Sequence, residues 1–287
     1  MTWFFLSFLT AFFEAVKDAF GKQSLKQVDE YVVSWTLSFL TGFFLLPLVI
    51  ISGFPQLGNQ FWLALIFGGT LNSITSYLYI KAIKVSDLSI TLPMIALTPL
   101  FMLITSPLMV GEWPNLFDFL GIFLLVTGSY LLNIKEKSKG YLAPFRALWV
   151  QKGPKLMLIV ALIWSITSNF DKIGVQNSSP IFWLFAMFSF ITVLLLPMLL
   201  YKTPNPRQKI LKGLPILLPM GLFCSLSVMF QMEALTLTNV VQVIAIKRTS
   251  VVMGVMLGYL IFKEKGMKER LTGTLIMLLG VIIMTLF

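Results

Sequence analysis

The sequence predicts an all-α, polytopic membrane protein with ten transmembrane helices arranged as two inverted five-helix repeats. Three observations carry this. The 287 residues are 57% hydrophobic and only 12% charged, whereas soluble domains carry about 25% charged residues. The apolar residues fall into ten runs, each near the roughly 20 residues a helix needs to cross the bilayer core. Finally, the chain aligns with itself at an offset of 152 residues.

The runs lie near residues 3–21, 32–51, 61–80, 88–110 and 116–134, then 156–175, 180–200, 214–234, 240–262 and 271–287. They are continuous rather than alternating, which excludes a transmembrane β-barrel. The first run has no basic segment ahead of it and is interrupted by Glu14, Lys17 and Asp18, so it reads as a span and not as a secretory signal. The interval 135–155 is too short for a soluble domain. It reads as a basic cytoplasmic linker between a first repeat at 1–134 and a second at 156–287.

Charge sets the topology. All but four of the 22 lysines and arginines fall in the odd-numbered loops, and the even-numbered loops and both termini have none. The positive-inside rule then places the odd loops in the cytoplasm and both termini on the far side of the inner (cytoplasmic) membrane. The net charge of +10 is therefore a topology signal and not a nucleic-acid surface. The expected partners are the bilayer and a small-molecule substrate, with monomer and homodimer both open.

Histidine is absent and the single cysteine, Cys224, lies within a span. This excludes an intramolecular disulfide, a cysteine metal site and the usual proton shuttle. No metal-hydrolase, intramembrane-protease or Ser-His motif occurs, so no catalytic residue, metal or cofactor is expected.

The repeat aligns without a gap over 61–134. Gly69 meets Gly221, Ser73 meets Ser225, Ala82 meets Ala234 and Asp87 meets Asn239. Glu112 meets Glu264, Gly121 meets Gly273 and Gly128 meets Gly280. Upstream, with a slip of one residue, Asp18 and Gly21 meet Asp171 and Gly174. Five spans per repeat force the second copy into the membrane from the opposite side. The loop "GEWPNLFD" is accordingly acidic where its counterpart "KEKGMKER" is basic. Inverted repeats of this kind mark transporters that hold substrate near the midplane between the halves.

The stretch "AIKVSDLSITLPMIALTPLFMLITSPLMVGEWPNLFDFLGIFLLVTGSYLL" resembles the EamA domain of the drug/metabolite transporter superfamily, through Ala82, Pro99, Gly111-Glu112, Gly121 and Gly128. The second copy keeps Ala234, Glu264, Gly273 and Gly280, but has Val251 in place of Pro99 and Lys263 in place of Gly111. The resemblance covers nearly the whole chain. It implies ten helices, a central cavity and alternating access, with substrates among amino acids, sugars, drugs and other small metabolites.

Helical periodicity separates cavity faces from lipid faces. In the first span Ser7, Thr10, Glu14, Lys17, Asp18 and Gly21 share a face; in the sixth, Ser165, Ser168, Asp171 and Lys172 do. These charges read either as local salt bridges or, for Glu14 above all, as the wall of a polar pathway. A second symmetric set, Asn72, Thr75 and Tyr79 against Cys224, Ser227 and Gln231, could bind substrate or join helices.

Lys247 and Arg248 stand inside the ninth run, and their repeat counterparts are Ile95 and Ala96. The fold therefore does not require cations there. Each costs about 2.5–3.5 kcal/mol at the bilayer centre on insertion scales. Glu14, Asp18, Asp171 and Glu233 can offset that cost, and so can an anionic substrate. Arginine offers a planar fork and lysine a movable point charge. The pair also resembles the phosphate-recognising pair of the triose-phosphate and nucleotide-sugar branches of the superfamily.

The expected function is thus a secondary transporter of a small polar metabolite, favoured as an organic anion or zwitterion. Lys247 and Arg248 hold the anionic group, and Asn72, Tyr79 and Gln231 orient the rest. Glu14, Lys17, Asp18, Asp171, Lys172 and Glu233 form the coupling and charge network, with Glu14 as the proton-coupling candidate. The alternative is a proton-coupled exporter of amino acids or hydrophobic cations, in which Glu14 and Glu233 bind substrate and the basic pair gates.

Overall fold

The computed structural model describes residues 2–132, 151–262 and 267–286, and all regular structure among them is helical. The first half holds α1 (Thr2–Ser24), α2 (Glu30–Ser52), α3 (Phe61–Val85), α4 (Leu88–Thr91), a 3₁₀ stretch (Leu92–Leu97), α5 (Thr98–Val110) and α6 (Leu116–Leu132). The second holds α7 (Lys152–Gln176), α8 (Pro180–Lys202), α9 (Pro206–Leu237), α10 (Val240–Lys247), α11 (Ser250–Phe262) and α12 (Met267–Leu286). Most of the predicted linker, at 133–150, and Glu264, the repeat mate of Glu112, lie outside the described residues.

Six segments are long and apolar enough to cross a membrane: α2, α3, α7, α8, α9 and the joined stretch Val240–Ile261. Shorter apolar stretches cover Met94–Val110, Leu116–Gly128 and Leu275–Met284. At 23 residues α1 matches these in length, but its buried face carries Glu14, Lys17 and Asp18. Large apolar side chains such as Phe5, Phe12, Phe43, Trp62 and Phe67 stay exposed on the outer surface, as helices bathed in hydrocarbon require.

The helices pair across the two halves. The most extensive contacts are α1 with α9, α3 with α7, α2 with α8, and α6 with α12. Under the repeat, α1 corresponds to α7 and α3 to α9, so the first two pairs exchange. The other two map onto themselves. This is the contact pattern of a two-fold pseudosymmetric bundle. The α6–α12 crossing shows it at atomic scale: Gly121 faces Gly280 and Gly128 faces Gly273. A Cβ on Gly121 would lie 2.6 Å from the Gly280 carbonyl oxygen, and one on Gly128 would lie 2.5 Å from that of Gly273. Only glycine lets these backbones approach so closely.

The fourth and ninth spans, continuous in the hydropathy pattern, are both broken. Asp87 and Asn239, repeat mates, start α4 and α10 with almost the same backbone angles. The first then tightens into the 3₁₀ stretch, where Pro93 and Pro99 lack backbone donors. The second turns at Arg248-Thr249. There Arg248 N reaches both Ile244 O and Ala245 O at 3.1 Å, and Thr249 N reaches Ile246 O at 2.9 Å. The Thr249 hydroxyl also bonds Ile246 O, at 2.8 Å. Side-chain competition of that sort loosens a helix. The break falls at the two cations.

Lysines from the first helix of each half cap the third. Lys22 Nζ donates to Ile83 O (2.7 Å) and Ser86 O (2.5 Å). Lys172 Nζ donates to Leu235 O and Thr238 O, both at 2.7 Å. The four carbonyls are repeat mates, and cations favour helix C-termini. Lys172 is further ion-paired with Glu112 Oε1 at 3.1 Å, and Glu112 Oε2 accepts from Val240 N at 2.7 Å. Gln242 extends this tie by donating to Asp118 Oδ1 at 3.2 Å and accepting from Thr238 at 2.6 Å. One end of the bundle is thereby fastened across the halves.

The opposite, basic end has its own links. Asp29 caps α2 through Val32 N (3.0 Å), pairs with Lys209 (2.9 Å) and accepts from Thr203 (3.2 Å). Lys84 pairs with Glu30.

Candidate substrate site

A cavity of about 130 Å³ lies where α1, α3, α7, α9 and the α10–α11 break converge. Glu14, Lys17, Asn72, Tyr79, Trp164, Asp171, Gln231, Lys247 and Arg248 all line it. The repeat symmetry explains the convergence: α1 and α7 bring the charged stripes, α3 and α9 bring the Asn72–Tyr79 and Cys224–Gln231 faces. Only the second half adds cations at its helix break.

Glu14 is the hub. Its Oε1 accepts from Lys17 Nζ at 2.7 Å and its Oε2 lies 3.7 Å from Lys247 Nζ. The Ser227 hydroxyl stands 3.0 Å from both Glu14 Oε2 and Thr10 O, sharing one proton between them. Lys17 also pairs with Asp18 Oδ1 at 3.3 Å and sits 4.9 Å over the Tyr79 ring. Lys247 donates to Gln231 Oε1 at 2.7 Å. All of these side chains are buried, where charges persist only when paired.

Arg248 departs from that rule. It is 1% exposed, yet its Nε and Nη1 have no hydrogen-bond partner among the described residues. The guanidinium carbon lies 5.2 Å from the ring centre of Trp164, and Lys247 Nζ lies 5.8 Å from the same ring. Such cation–π contacts contribute about 0.5–2 kcal/mol each. Trp164 is fixed by donating to Thr75 Oγ1 at 3.2 Å and by packing on Tyr79 at 5.2 Å between ring centres.

The predicted residues thus divide. Lys247, Arg248, Gln231, Tyr79, Asn72, Glu14, Lys17 and Asp171 meet at the cavity, and Asp18 joins through Lys17. Asn72 Nδ2 lies 3.8 Å from Met187 Sδ. Lys172 turns away to the Glu112 tie. Glu233 is not among the lining residues and forms no ion pair with a described residue. Ser34, Ser76, Thr167 and Trp164 also line the cavity and none is expected from the polar stripes; of these four, Trp164 is the one that meets the cations. Its spacing to Ser168 and Asp171 puts it on the same face of α7, a usable signal had aromatics been counted with the polar residues.

A helical bundle with segments long and apolar enough to cross a membrane, two broken helices and a charged cavity beside the break at Arg248-Thr249 has the architecture of a membrane transporter. The chain belongs to the EamA-like transporter family of the drug/metabolite transporter superfamily; the family's sequence profile matches residues 1–134 and 151–286. No curated protein matches the chain. Among solved structures 28 chains do. One, described as "Crystal structure of protein", is 14% identical with a TM-score of 0.73, over 99% of this chain and 98% of its own. That likeness shows the fold.

Proposed function

We propose that this transporter carries a small organic anion or zwitterion across the cytoplasmic membrane by alternating access, with Arg248 and Lys247 holding the anionic group. Arg248 carries the reading. A buried guanidinium with unpartnered nitrogens beside a cavity is completed by a carboxylate or phosphate oxygen, and the nearby Glu14 is already taken by two lysines and Ser227. Gln231, Asn72 and Tyr79 orient the remainder of the substrate. The ten predicted spans form two inverted five-helix repeats, with the basic end cytoplasmic and both termini outside. The two halves rock about the cavity, and the Glu112–Lys172 tie holds the non-cytoplasmic mouth in the present conformation.

Thermal-shift measurements on purified protein test this reading, because a ligand that binds only the folded state adds stability by mass action. The panel is lactate, glutamate, alanine, glycerol phosphate, inorganic phosphate and tetraphenylphosphonium. Stabilisation by one or more anion-bearing compounds, lost in Arg248→Gln, supports the anion site. Stabilisation by tetraphenylphosphonium alone favours the exporter of hydrophobic cations instead, and an anion shift unchanged in Arg248→Gln places the anion away from the guanidinium and overturns the reading.

A further inference from the structure

The acidic groups of the cavity are not equivalent. Glu14 is held on both oxygens, by Lys17 on one side and by Ser227 and Lys247 on the other. Asp18 is paired with Lys17. Asp171 has no cation within ion-pairing distance among the described residues: its neighbour Lys172 reaches outward to Glu112 and two helix-end carbonyls. Among the described residues its one side-chain hydrogen bond comes from the Trp183 indole, Nε1 to Oδ1 at 3.0 Å.

That indole is deliberately seated. Trp183 is fully buried. Gly174, one turn beyond Asp171, leaves its space: a Cβ there would lie 2.2 Å from the ring. Phe61 packs edge-on against it, at 5.8 Å and 85°. Asp171 is therefore held at the cavity wall by a rigid neutral donor and left without a countercharge.

The other groups around it are accounted for. From α1 the cavity receives Glu14 and Lys17, with Asp18 behind Lys17; from α3, Tyr79; from α9, Cys224; from the α10–α11 break, Lys247 and Arg248. From α8 the Trp183 indole faces Asp171, and residues 88–110 contain no charged side chain. The cavity cluster balances: Lys17, Lys247 and Arg248 against Glu14, Asp18 and Asp171. An incoming monoanion makes it net negative in a medium that penalises net charge. One proton on the unpaired carboxylate restores neutrality.

Resting on the anion-site reading above, we infer that Asp171 takes up the proton that travels with the substrate, and that Trp183 is its positioning residue. The proton adds to Asp171 Oδ2, the oxygen the indole does not hold, from the side where the anion enters. It leaves from the same oxygen on the side of release. No covalent bond to carbon changes, and the loaded site crosses uncharged. The assignment moves the coupling role from Glu14, whose oxygens are occupied.

Two measurements test this. Infrared spectroscopy of the purified protein in lipid, titrated from alkaline to acid pH, reads protonated carboxyl groups directly and needs no substrate. Beyond the bands of its other carboxyl groups, the wild type is expected to gain on acidification a distinct carboxylic C=O band that Asp171→Asn lacks and that Asp18→Asn and Glu14→Gln retain. Trp183→Phe keeps the band at an altered frequency, since a hydrogen bond to the group is gone. A band that persists in Asp171→Asn, or vanishes in Asp18→Asn or Glu14→Gln instead, overturns the assignment.

In proteoliposomes, labelled lactate, glutamate and glycerol phosphate are followed in two modes: exchange at equal pH, and net uptake driven by an acid exterior. Asp171→Asn should keep exchange within about threefold of wild type and lose the pH-driven accumulation. Loss of both modes alike in folded Asp171→Asn contradicts the inference, as does pH-driven accumulation that survives the substitution. Arg248→Gln should lose both modes. Full exchange by Arg248→Gln defeats the anion-site reading but leaves the infrared result to decide on Asp171.

Discussion

The guanidinium of Arg248 lies 5.2 Å from the ring centre of Trp164 and, alone among the cavity cations, has no described carboxylate within ion-pairing distance. A buried cation left without a counter-ion costs stability, and a site can carry that cost when it serves binding. Arg248→Met should therefore raise the thermal unfolding midpoint of the ligand-free protein, by about 1–3 kcal/mol of stability, while abolishing stabilisation by anions. An unchanged or lowered midpoint would show that the guanidinium is compensated in the resting protein.

The Glu112–Lys172 tie joins the α5–α6 loop to the ends of α9 and α10. Both side chains are largely buried, so removing one strands the other, at roughly 3–5 kcal/mol for a buried pair. Glu112→Gln and Lys172→Met should each loosen that end of the bundle. Cys224 is the only cysteine of the chain and lines the cavity, so it reports the opening without an introduced probe. Labelling by a membrane-impermeant maleimide applied from the membrane face that carries the tie should rise several-fold in each variant. The double variant should add little to either single one. No change in labelling rate would remove the tie from any gating role.

At the basic end, burial pushes the Asp29 carboxyl up, but hydrogen bonds from Lys209, Val32 N and Thr203 outweigh it and hold its pKa below the ordinary 3.8. A carboxyl depressed in the folded state contributes stability that is present above its unfolded pKa and lost as pH falls through the folded value. Asp29→Asn keeps a helix-capping side chain, so its loss is chiefly the Lys209 pair. That pair is partly exposed and contributes under about 1 kcal/mol. Unfolding midpoints of the wild type and Asp29→Asn should differ slightly at neutral pH and converge as pH drops below about 4. Curves that stay parallel into acid would contradict the linkage.

The glycine contacts between α6 and α12 predict steep local sensitivity. Gly121→Ala places a methyl 2.6 Å from the Gly280 carbonyl oxygen, so the two helices must separate. Overpacking of this kind costs about 1–3 kcal/mol. Gly121→Ala and Gly280→Ala, which strain one crossing point, should each lower the unfolding midpoint, with less than additive loss together. Tolerance of both changes would mean the helices are not in backbone contact there.

Much of the site was legible because membrane burial is selective. A charge such as Glu14 or Lys247 within an apolar run has few places to go, and helical spacing fixes which neighbours share its face. The offset of 152 residues sets Tyr79 and Gln231 at equivalent positions of the two repeats. Other features left no such trace. Hydropathy does not register backbone hydrogen bonding, so the break at Arg248-Thr249 reads as one apolar span. Asp171 and Lys172 differ by only about 100° around their helix, and only packing decides that the acid faces the cavity while the lysine faces Glu112. Trp164 reads as lipid-facing or core until two cations are seen above it. Glu233 shares a helix with Gln231, but its position along that helix turns it from the cavity.

The central claim is that an anion completes Arg248 within the cavity. The most direct measurement is the rate at which N-ethylmaleimide labels Cys224 in detergent-purified protein, with and without saturating anion from the panel that gives the largest thermal shift. The account predicts that this anion slows labelling of the wild type at least fivefold and leaves the rate in Arg248→Gln unchanged. Equal protection in both proteins would place the anion elsewhere and contradict the claim.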